Sequence, residues 1–241
     1  NVVWLPRWGG NGMSLTSKLT TIAAAGAGGS VGWYLAFRNS TSSDTAYSVK
    51  VDSNNDIYVG GQAVDSSLGS SRSSFVAKIA PDASFIWSKT YDSSDRNLIT
   101  DFDLDGTGSI YTTGSINTTL SDIYTMRINA STGATVFVKK ISGNSIDTAV
   151  RCAWDSHNNS GLVVAGNTYS NLTSQTGAYF GVVSTAGSMN DRMQKGSYTS
   201  RFADTCVSGS IYYYVGSSSA RIFSVIGLCV ASTAPLLSQN M

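Results

Sequence analysis

A short motif that ends in glycine recurs four times along the chain at nearly constant spacing. It reads IYVGG, IYTTG, LVVAG and YYYVG, and its final residues are Gly61, Gly114, Gly166 and Gly216. These glycines lie 53, 52 and 50 residues apart. Repetition with a period of about 50 residues is typical of proteins built by stacking copies of one supersecondary unit. The chain is therefore expected to fold as four copies of one unit.

Each copy contains short segments with the character of β-strands. A turn rich in Asp, Asn, Ser and Gly precedes every motif, and β-branched and aromatic residues flank that turn, which is the pattern of a β-hairpin. A third strand-like run follows, and a fourth comes after it as WSKTY (87–91), FVKKI (137–141) and MQKGS (193–197). Four short antiparallel strands at this period predict an all-β fold, a four-bladed β-propeller with about 50 residues per blade.

The last copy lacks a fourth run of its own. The chain ends as STAPLLSQNM (232–241), whereas WYLAF (33–37) matches the fourth runs in its position before a Ser- and Asp-rich turn. We therefore expect residues 33–37 to pair beside 222–230 and to close the ring within one chain, which would hide the exposed strand edges. An open stack, or a ring shared between the chains of an oligomer, would use the same repeats. The expected organisation is an extended N-terminal arm (1–30), the propeller (31–231) and a C-terminal tail (232–241).

The composition excludes several kinds of partner. Charged residues make up 13% of the chain and the formal net charge is +1, so no strong field attracts nucleic acid or an anionic membrane surface. No apolar run approaches the ~20 residues that a membrane-spanning helix needs. Neither nucleic-acid binding nor membrane insertion is expected. The three widely spaced cysteines, Cys152, Cys206 and Cys229, are interpreted as buried, packed thiols.

One acidic cluster resembles the start of a calcium loop. Asp101, Asp103 and Asp105 occupy alternate positions and Gly106 follows, but an EF-hand type loop needs a bidentate acid where this chain has Thr112. Alternation on a strand places the three carboxylates on one face and Phe102 and Leu104 on the other. Asp105 has counterparts in the turns of other copies, Asp52 and Asp155, whereas Asp101 and Asp103 align with Ser48 and Lys50. The favoured hypothesis is a hairpin with a solvated acidic patch near the ring axis or at an interface, and a calcium site is the alternative.

The sequence predicts no catalytic or cofactor-binding residue. His157 is the only histidine, it lies in a turn, and no G-x-S-x-G elbow accompanies it. The glycine-rich GAGGSVG (26–32) misses the spacing of a dinucleotide-binding loop and is interpreted as a flexible linker.

The first residues have the composition of a docking segment. Trp4, Arg7 and Trp8 lie outside the repeats in NVVWLPRWGG. Aromatic residues and arginine are enriched where one protein anchors in a pocket of another. These three residues are the candidate partner-binding residues.

Two resemblances accompany these patterns. DIYVGG, FVAKIAPDASFIWSKTY and SIYTTG resemble the short bacterial β-propeller repeat of surface and secreted proteins, a scaffold without a shared activity, so this resemblance implies fold more than function. The leader MSLTSKLTTIAAAGAGG (13–29) resembles the opening of virion and tail-associated proteins of marine bacteriophages.

Together the resemblances imply a non-enzymatic structural subunit of a phage virion, located in the tail or on the surface. Its N-terminal arm would anchor it to other virion proteins, its loops would contact a host surface glycan, and the chain would form a homo-oligomer. The alternative is an extracellular or cell-surface bacterial propeller that binds carbohydrate like a lectin.

Overall fold

The computed structural model contains only β-strands as regular elements in the part of the chain that it describes, and no helix. The all-β prediction is therefore confirmed. No described helix exists that is long and apolar enough to cross a membrane. The described residues are 22–23, 30–31, 44–65, 71–91, 96–117, 121–141, 147–170, 175–194, 200–209, 211–218 and 222–229.

The first two described strands, β1 (Ile22–Ala23) and β2 (Ser30–Val31), form a two-stranded antiparallel sheet. These strands lie within or beside the segment expected to be an extended arm and linker. The two strands pair Ile22 with Val31 and Ala23 with Ser30, and the rest of the expected arm lies outside the described residues.

Four antiparallel sheets follow, one for each copy of the repeat, and in each sheet the strands pair with their neighbours in sequence. Sheet 1 consists of β3 (Thr45–Val51), β4 (Ile57–Asp65), β5 (Ser71–Ile79) and β6 (Phe85–Tyr91). Sheet 2 consists of β7 (Arg96–Leu104), β8 (Ser109–Asn117), β9 (Ser121–Asn129) and β10 (Thr135–Ile141). Sheet 3 consists of β11 (Asp147–Trp154), β12 (Gly161–Ser170), β13 (Gln175–Ser184) and β14 (Met189–Gln194). Sheet 4 has three described strands, β15 (Ser200–Ser208), β16 (Ile211–Ser218) and β17 (Ile222–Cys229).

The fourth strands follow the sequence prediction in the first two sheets and depart from it in the third. Strand β14 covers 189–194, whereas the sequence placed this strand at 193–197. A tight turn explains the shift, because the Gly187 N–H donates to the Ser184 carbonyl and the chain returns at once. The segment predicted to complete sheet 4, residues 33–37, lies outside the described residues.

A β-bulge opposite the repeat glycine occurs at the same place in every sheet. The register between the first and second strands shifts at Ala46/Ser48, Ile99/Asp101, Ala149/Arg151 and Phe202/Asp204. A Cβ atom on Gly114 would lie 1.9 Å from the Leu98 carbonyl oxygen, and one on Gly61 or Gly216 would lie 2.0 Å from the corresponding carbonyl. The backbones approach too closely for any side chain, which explains why the motif ends in glycine in all four copies.

Consecutive sheets pack against each other through their faces. Three buried apolar clusters do this, and in chain order they join Tyr58 and Val76 to Phe102, Tyr111 and Ile123 to Trp154, and Val163 and Ala165 to Phe202. The first strands of sheets 2, 3 and 4 therefore place apolar side chains on the sheet before them. The core is a series of interfaces between neighbouring repeats.

Aromatic residues on the outer strands strengthen these interfaces. Trp87 packs edge to face on Tyr58 and donates its indole N–H to the Ala130 carbonyl at 3.1 Å. Phe137 makes the equivalent contact with Tyr111. Phe137 packs against the cluster between sheets 2 and 3, so both outer-strand aromatics contribute to the packing between consecutive sheets.

We predict that Gly114→Ala lowers the free energy of unfolding by about 1–3 kcal/mol, because the new methyl group must displace the Leu98 carbonyl. Urea unfolding followed by tryptophan fluorescence measures the change. Val138→Ala is the matched control, since Val138 is 51% exposed on the outer strand of the same sheet and its truncation should change stability by less than about 0.5 kcal/mol. Equal effects from both substitutions would show that the backbone contact does not limit this position.

Candidate functional site at the inner strands

The first strands of all four sheets line one cavity of about 610 Å³. Strands β3, β7, β11 and β15 contribute to it, and its charged lining consists of Lys50, Asp101, Asp103, Arg151 and Asp204. Charged groups from four different repeats thus face one space. This cavity is the candidate functional site.

Asp101 joins three strands through one carboxylate. Its Oδ1 accepts hydrogen bonds from the Ser48 hydroxyl at 2.7 Å and from the Phe102 N–H at 2.9 Å. Its Oδ2 accepts the Cys152 N–H at 3.1 Å. Because Asp101 is only 8% exposed, the patch is not solvated at this residue, contrary to that part of the sequence interpretation. It lies at an interface, which that interpretation also allowed.

Asp103 repeats this arrangement two residues later. Its Oδ2 accepts the Trp154 N–H at 2.9 Å, and its Oδ1 lies 3.2 Å from the Lys50 Nζ. Partial burial works against the charged amine of Lys50, but the carboxylates of Asp103 and Asp101 outweigh it and raise the pKa of Lys50. The two aspartates therefore connect sheet 1, through Ser48 and Lys50, with sheet 3, through backbone N–H groups.

Asp105 has a separate, local role in the hairpin turn. Its Oδ1 accepts the N–H groups of Thr107 and Ser109, both at 2.8 Å. Burial opposes its ionisation, but these bonds prevail and lower the pKa of Asp105. Asp52 and Asp155 accept backbone N–H groups in the same way in their own turns. The prediction of a turn-forming aspartate in these three copies is confirmed.

Asp155 also connects two sheets. It is buried, and its Oδ2 accepts the hydroxyl of Tyr212 at 2.8 Å and that of Ser160 at 2.6 Å. Burial alone would raise the pKa of this carboxyl. The hydrogen bonds from Ser160, Asn158 and Tyr212 outweigh burial and lower the pKa of Asp155 to about 2.

The three aspartates proposed as calcium ligands are thus distributed between an interface and a turn. Within the described ranges, no three His, Cys, Asp or Glu side chains are grouped as metal ligands. Calcium binding stays a prediction that a titration can test. The candidate docking residues Trp4, Arg7 and Trp8 lie outside the described residues.

The cysteine and histidine expectations have mixed outcomes. Cys152 is buried as expected, and burial raises the pKa of its thiol well above the usual value. Cys206 is exposed, so the buried interpretation is wrong for it, because it lies on the cavity side of the strand. His157 lies exposed in its turn.

The sequence pattern did not predict that Lys50, Arg151 and Asp204 line this cavity. The signal for Lys50 was present, since Ser48 and Lys50 align with Asp101 and Asp103 in the next repeat, and side chains at equivalent positions of neighbouring units can meet. The backbone donors on Cys152 and Trp154 could not be found from residue types, because every residue except proline carries such a group.

Comparisons with known proteins add little to this geometry. No protein-family model and no curated protein matches the chain. Among solved structures, puromycin hydrolase is similar at 16% identity with a TM-score of 0.44, over 75% of this chain and 26% of that one. A mutant of puromycin hydrolase complexed with PGG is similar at 13% identity with a TM-score of 0.41, over 83% of this chain and 38% of that one. This chain thus spans well under half of either protein, and likenesses this distant carry no argument about activity.

We predict that Asp101→Asn destabilises the protein by about 1–3 kcal/mol, because an amide cannot accept all three hydrogen bonds and its NH₂ group faces other donors. Thermal unfolding with and without millimolar calcium measures this effect. If the carboxylate acts only between the strands, calcium leaves both melting temperatures unchanged. Asp82→Asn, in an exposed turn, is the control. A calcium-induced rise in Tm that Asp101→Asn abolishes would instead establish the metal site.

A second prediction concerns acid stability. The low pKa of Asp155 contributes stability that is complete above its unfolded value of about 4 and is lost as the pH falls towards about 2. Tyr212→Phe removes one of the stabilising donors, so we expect it to cost about 1.5–3 kcal/mol at pH 7 and to reduce the loss between pH 4 and pH 2. Urea unfolding across this range tests both effects, with Tyr47→Phe at an exposed tyrosine as control. An unchanged acid response in Tyr212→Phe would refute the role of this bond.

Proposed function

We propose that the four sheets are blades of a β-propeller and that the chain is a non-enzymatic structural subunit of a phage virion, in its tail or on its surface. The packing of each sheet on the next through the same faces supports the propeller arrangement, as does the single cavity lined by all four first strands. In the proposed propeller, each chain contributes four blades and residues 33–37 add the outer strand of the last one. The ring either closes within one chain, as the sequence predicts, or is shared between the chains of an oligomer.

The structural role is supported by the bonds that the carboxylates in the cavity make to neighbouring sheets. Asp101 and Asp103 accept backbone N–H groups of the neighbouring sheet and bind Ser48 and Lys50 of the preceding one. A general acid or base must be able to exchange a proton with a substrate. Carboxylates held by two or three donors are suited to fixing the sheets relative to each other.

In this proposal the N-terminal arm attaches the subunit to other virion proteins and promotes homo-oligomer formation. Trp4, Arg7 and Trp8 supply the aromatic and guanidinium groups that anchor interfaces. The connections between strands then face outward and contact a host surface glycan. Surface connections of this kind commonly carry the binding residues of a rigid scaffold.

The arm is tested in the full chain with the triple substitution Trp4→Ala, Arg7→Ala, Trp8→Ala. We expect the wild type to form assemblies larger than the triple variant does, as measured by light scattering after size exclusion at several concentrations. Ile86→Ala, which changes an exposed apolar residue of β6, is the control and should assemble like the wild type. Identical masses for all three chains would remove the arm from the proposal.

A glycan array separates the virion subunit from the lectin-like alternative. A chain whose assembly does not depend on the arm and which binds carbohydrate would favour an extracellular or cell-surface binding protein. A chain whose assembly depends on the arm supports the virion subunit.

A further inference from the structure

We propose that a second copy of this chain docks head to tail on sheet 1, so that sheet 4 of one copy covers the face that carries Val49 and Val51 in the other. Two copies would then form one ring of eight sheets with two identical contacts between the chains. This inference rests on the propeller arrangement proposed above and names the partner that completes it.

The face of sheet 1 that carries Val49 and Val51 is apolar and exposed. Val49 is 61% exposed and Val51 is 57% exposed. Counted from the bulge, these residues occupy the positions of Phe102 and Leu104 in sheet 2. Phe102 is fully buried in the cluster between sheets 1 and 2, and Leu104 packs against the same cluster. Sheet 1 thus exposes the surface that corresponds to the one sheet 2 buries against sheet 1.

The other half of the contact is present on sheet 4. Phe102 lies over Gly60, where an added Cβ would come within 2.9 Å of its ring. The residue equivalent to Gly60 in sheet 4 is Val215, which is 40% exposed. The equivalent pairs in the other two interfaces are Cys152 with Thr113, and Thr205 with Ala165.

The sizes of the paired residues are complementary. The large Phe102 faces the smallest residue, Gly60, whereas the proposed contact pairs two residues of intermediate size, Val49 and Val215. Interfaces of close-packed side chains require such compensation between facing positions. The two valines therefore suit each other as the fourth member of the series.

The Asp204 carboxylate extends the comparison of equivalent positions to a polar group. The Oδ1 of Asp101 accepts the N–H of the next residue, and its Oδ2 accepts the Cys152 N–H of the following sheet. Asp204 occupies the equivalent position in sheet 4, and its Oδ1 accepts the Thr205 N–H at 2.8 Å. The described residues offer no donor to its Oδ2. The equivalent donor to this oxygen is the N–H of Val49, because Val49 corresponds to Cys152.

A second copy fits better than the chain's own sheet 4, because Val49 and Val215 both remain exposed in the single chain. Each chain carries one uncovered face of sheet 1 and one of sheet 4. A head-to-tail pair related by a twofold axis covers all four faces and leaves none for further growth.

Solution mass gives the first test. On dilution, we expect the smallest species of the wild-type chain to have twice the 25.3 kDa monomer mass in light scattering, and the smallest species of Val49→Asp to be the monomer. Asp204→Asn should weaken the dimer by roughly tenfold or more in Kd, because it changes an acceptor to the Val49 N–H. Ile86→Asp, at a residue of β6 that is 47% exposed, should leave the dimer intact. A monomeric wild type at all concentrations would overturn the proposal.

A cysteine cross-link distinguishes a second copy from closure within one chain, and it does not depend on the folding of Val49→Asp. Val49→Cys and Val215→Cys are made in separate chains that also carry Cys206→Ser, and the chains are mixed and oxidised. We expect a disulfide-linked dimer whose peptide map joins positions 49 and 215. If the mixture stays unlinked and a single chain carrying both substitutions links to itself, the ring closes within one chain and the proposal is wrong.

The formation of this dimer does not depend on the proposed role of the N-terminal arm. The dimer should survive the triple substitution of Trp4, Arg7 and Trp8, because those residues lie outside the docking face. Loss of larger assemblies with the dimer retained supports both proposals. Loss of the dimer in the triple variant, with Val49→Asp behaving like the wild type, would overturn this inference while leaving the arm's role in assembly.

Discussion

The backbone contact between the repeat glycine and the first strand of each sheet determines where the other residues of the unit face. A bulge adds one residue to the first strand, and alternate residues of a strand face opposite sides. After the bulge, Ser48, Lys50, Asp101 and Asp103 therefore reach the cavity, while Phe102 packs against the preceding sheet. A side chain at Gly114 would interfere with this geometry, since the Leu98 carbonyl occupies the space it needs.

Much of this architecture could be predicted from the sequence. The repeat period, the repeat glycines and the turn aspartates can be read directly from the sequence. They predicted the all-β fold and the role of Asp105 in its turn. The polar strand β14 was placed too late, because MNDRMQ lacks the β-branched residues that mark a strand. The role of Asp101 was only partly foreseen, since its partners are a hydroxyl 53 residues before it and a backbone N–H 51 residues after it.

The apolar plan of the interfaces is the same throughout, but their polar contacts differ. Asp101 and Asp103 connect sheets 2 and 3, whereas Asp155 and Tyr212 connect sheets 3 and 4. The Asn167 side chain also accepts the Phe202 N–H between the last two sheets. Apolar surfaces built to one plan could pair in several orders. Buried polar groups restrict that choice, because a wrong neighbour would leave a donor or an acceptor unsatisfied.

The size-matched pairs between the sheets also bear on how such a chain can change over evolutionary time. Phe102 over Gly60 shows that an interface accommodates a large residue when the facing position is small. Duplication of a whole unit would insert a sheet whose two faces meet the same kinds of surface that the existing sheets present to each other. Duplication of a fraction of a unit would separate a residue from its counterpart. Gene rearrangements that keep the 50-residue period are therefore the ones this fold can accept.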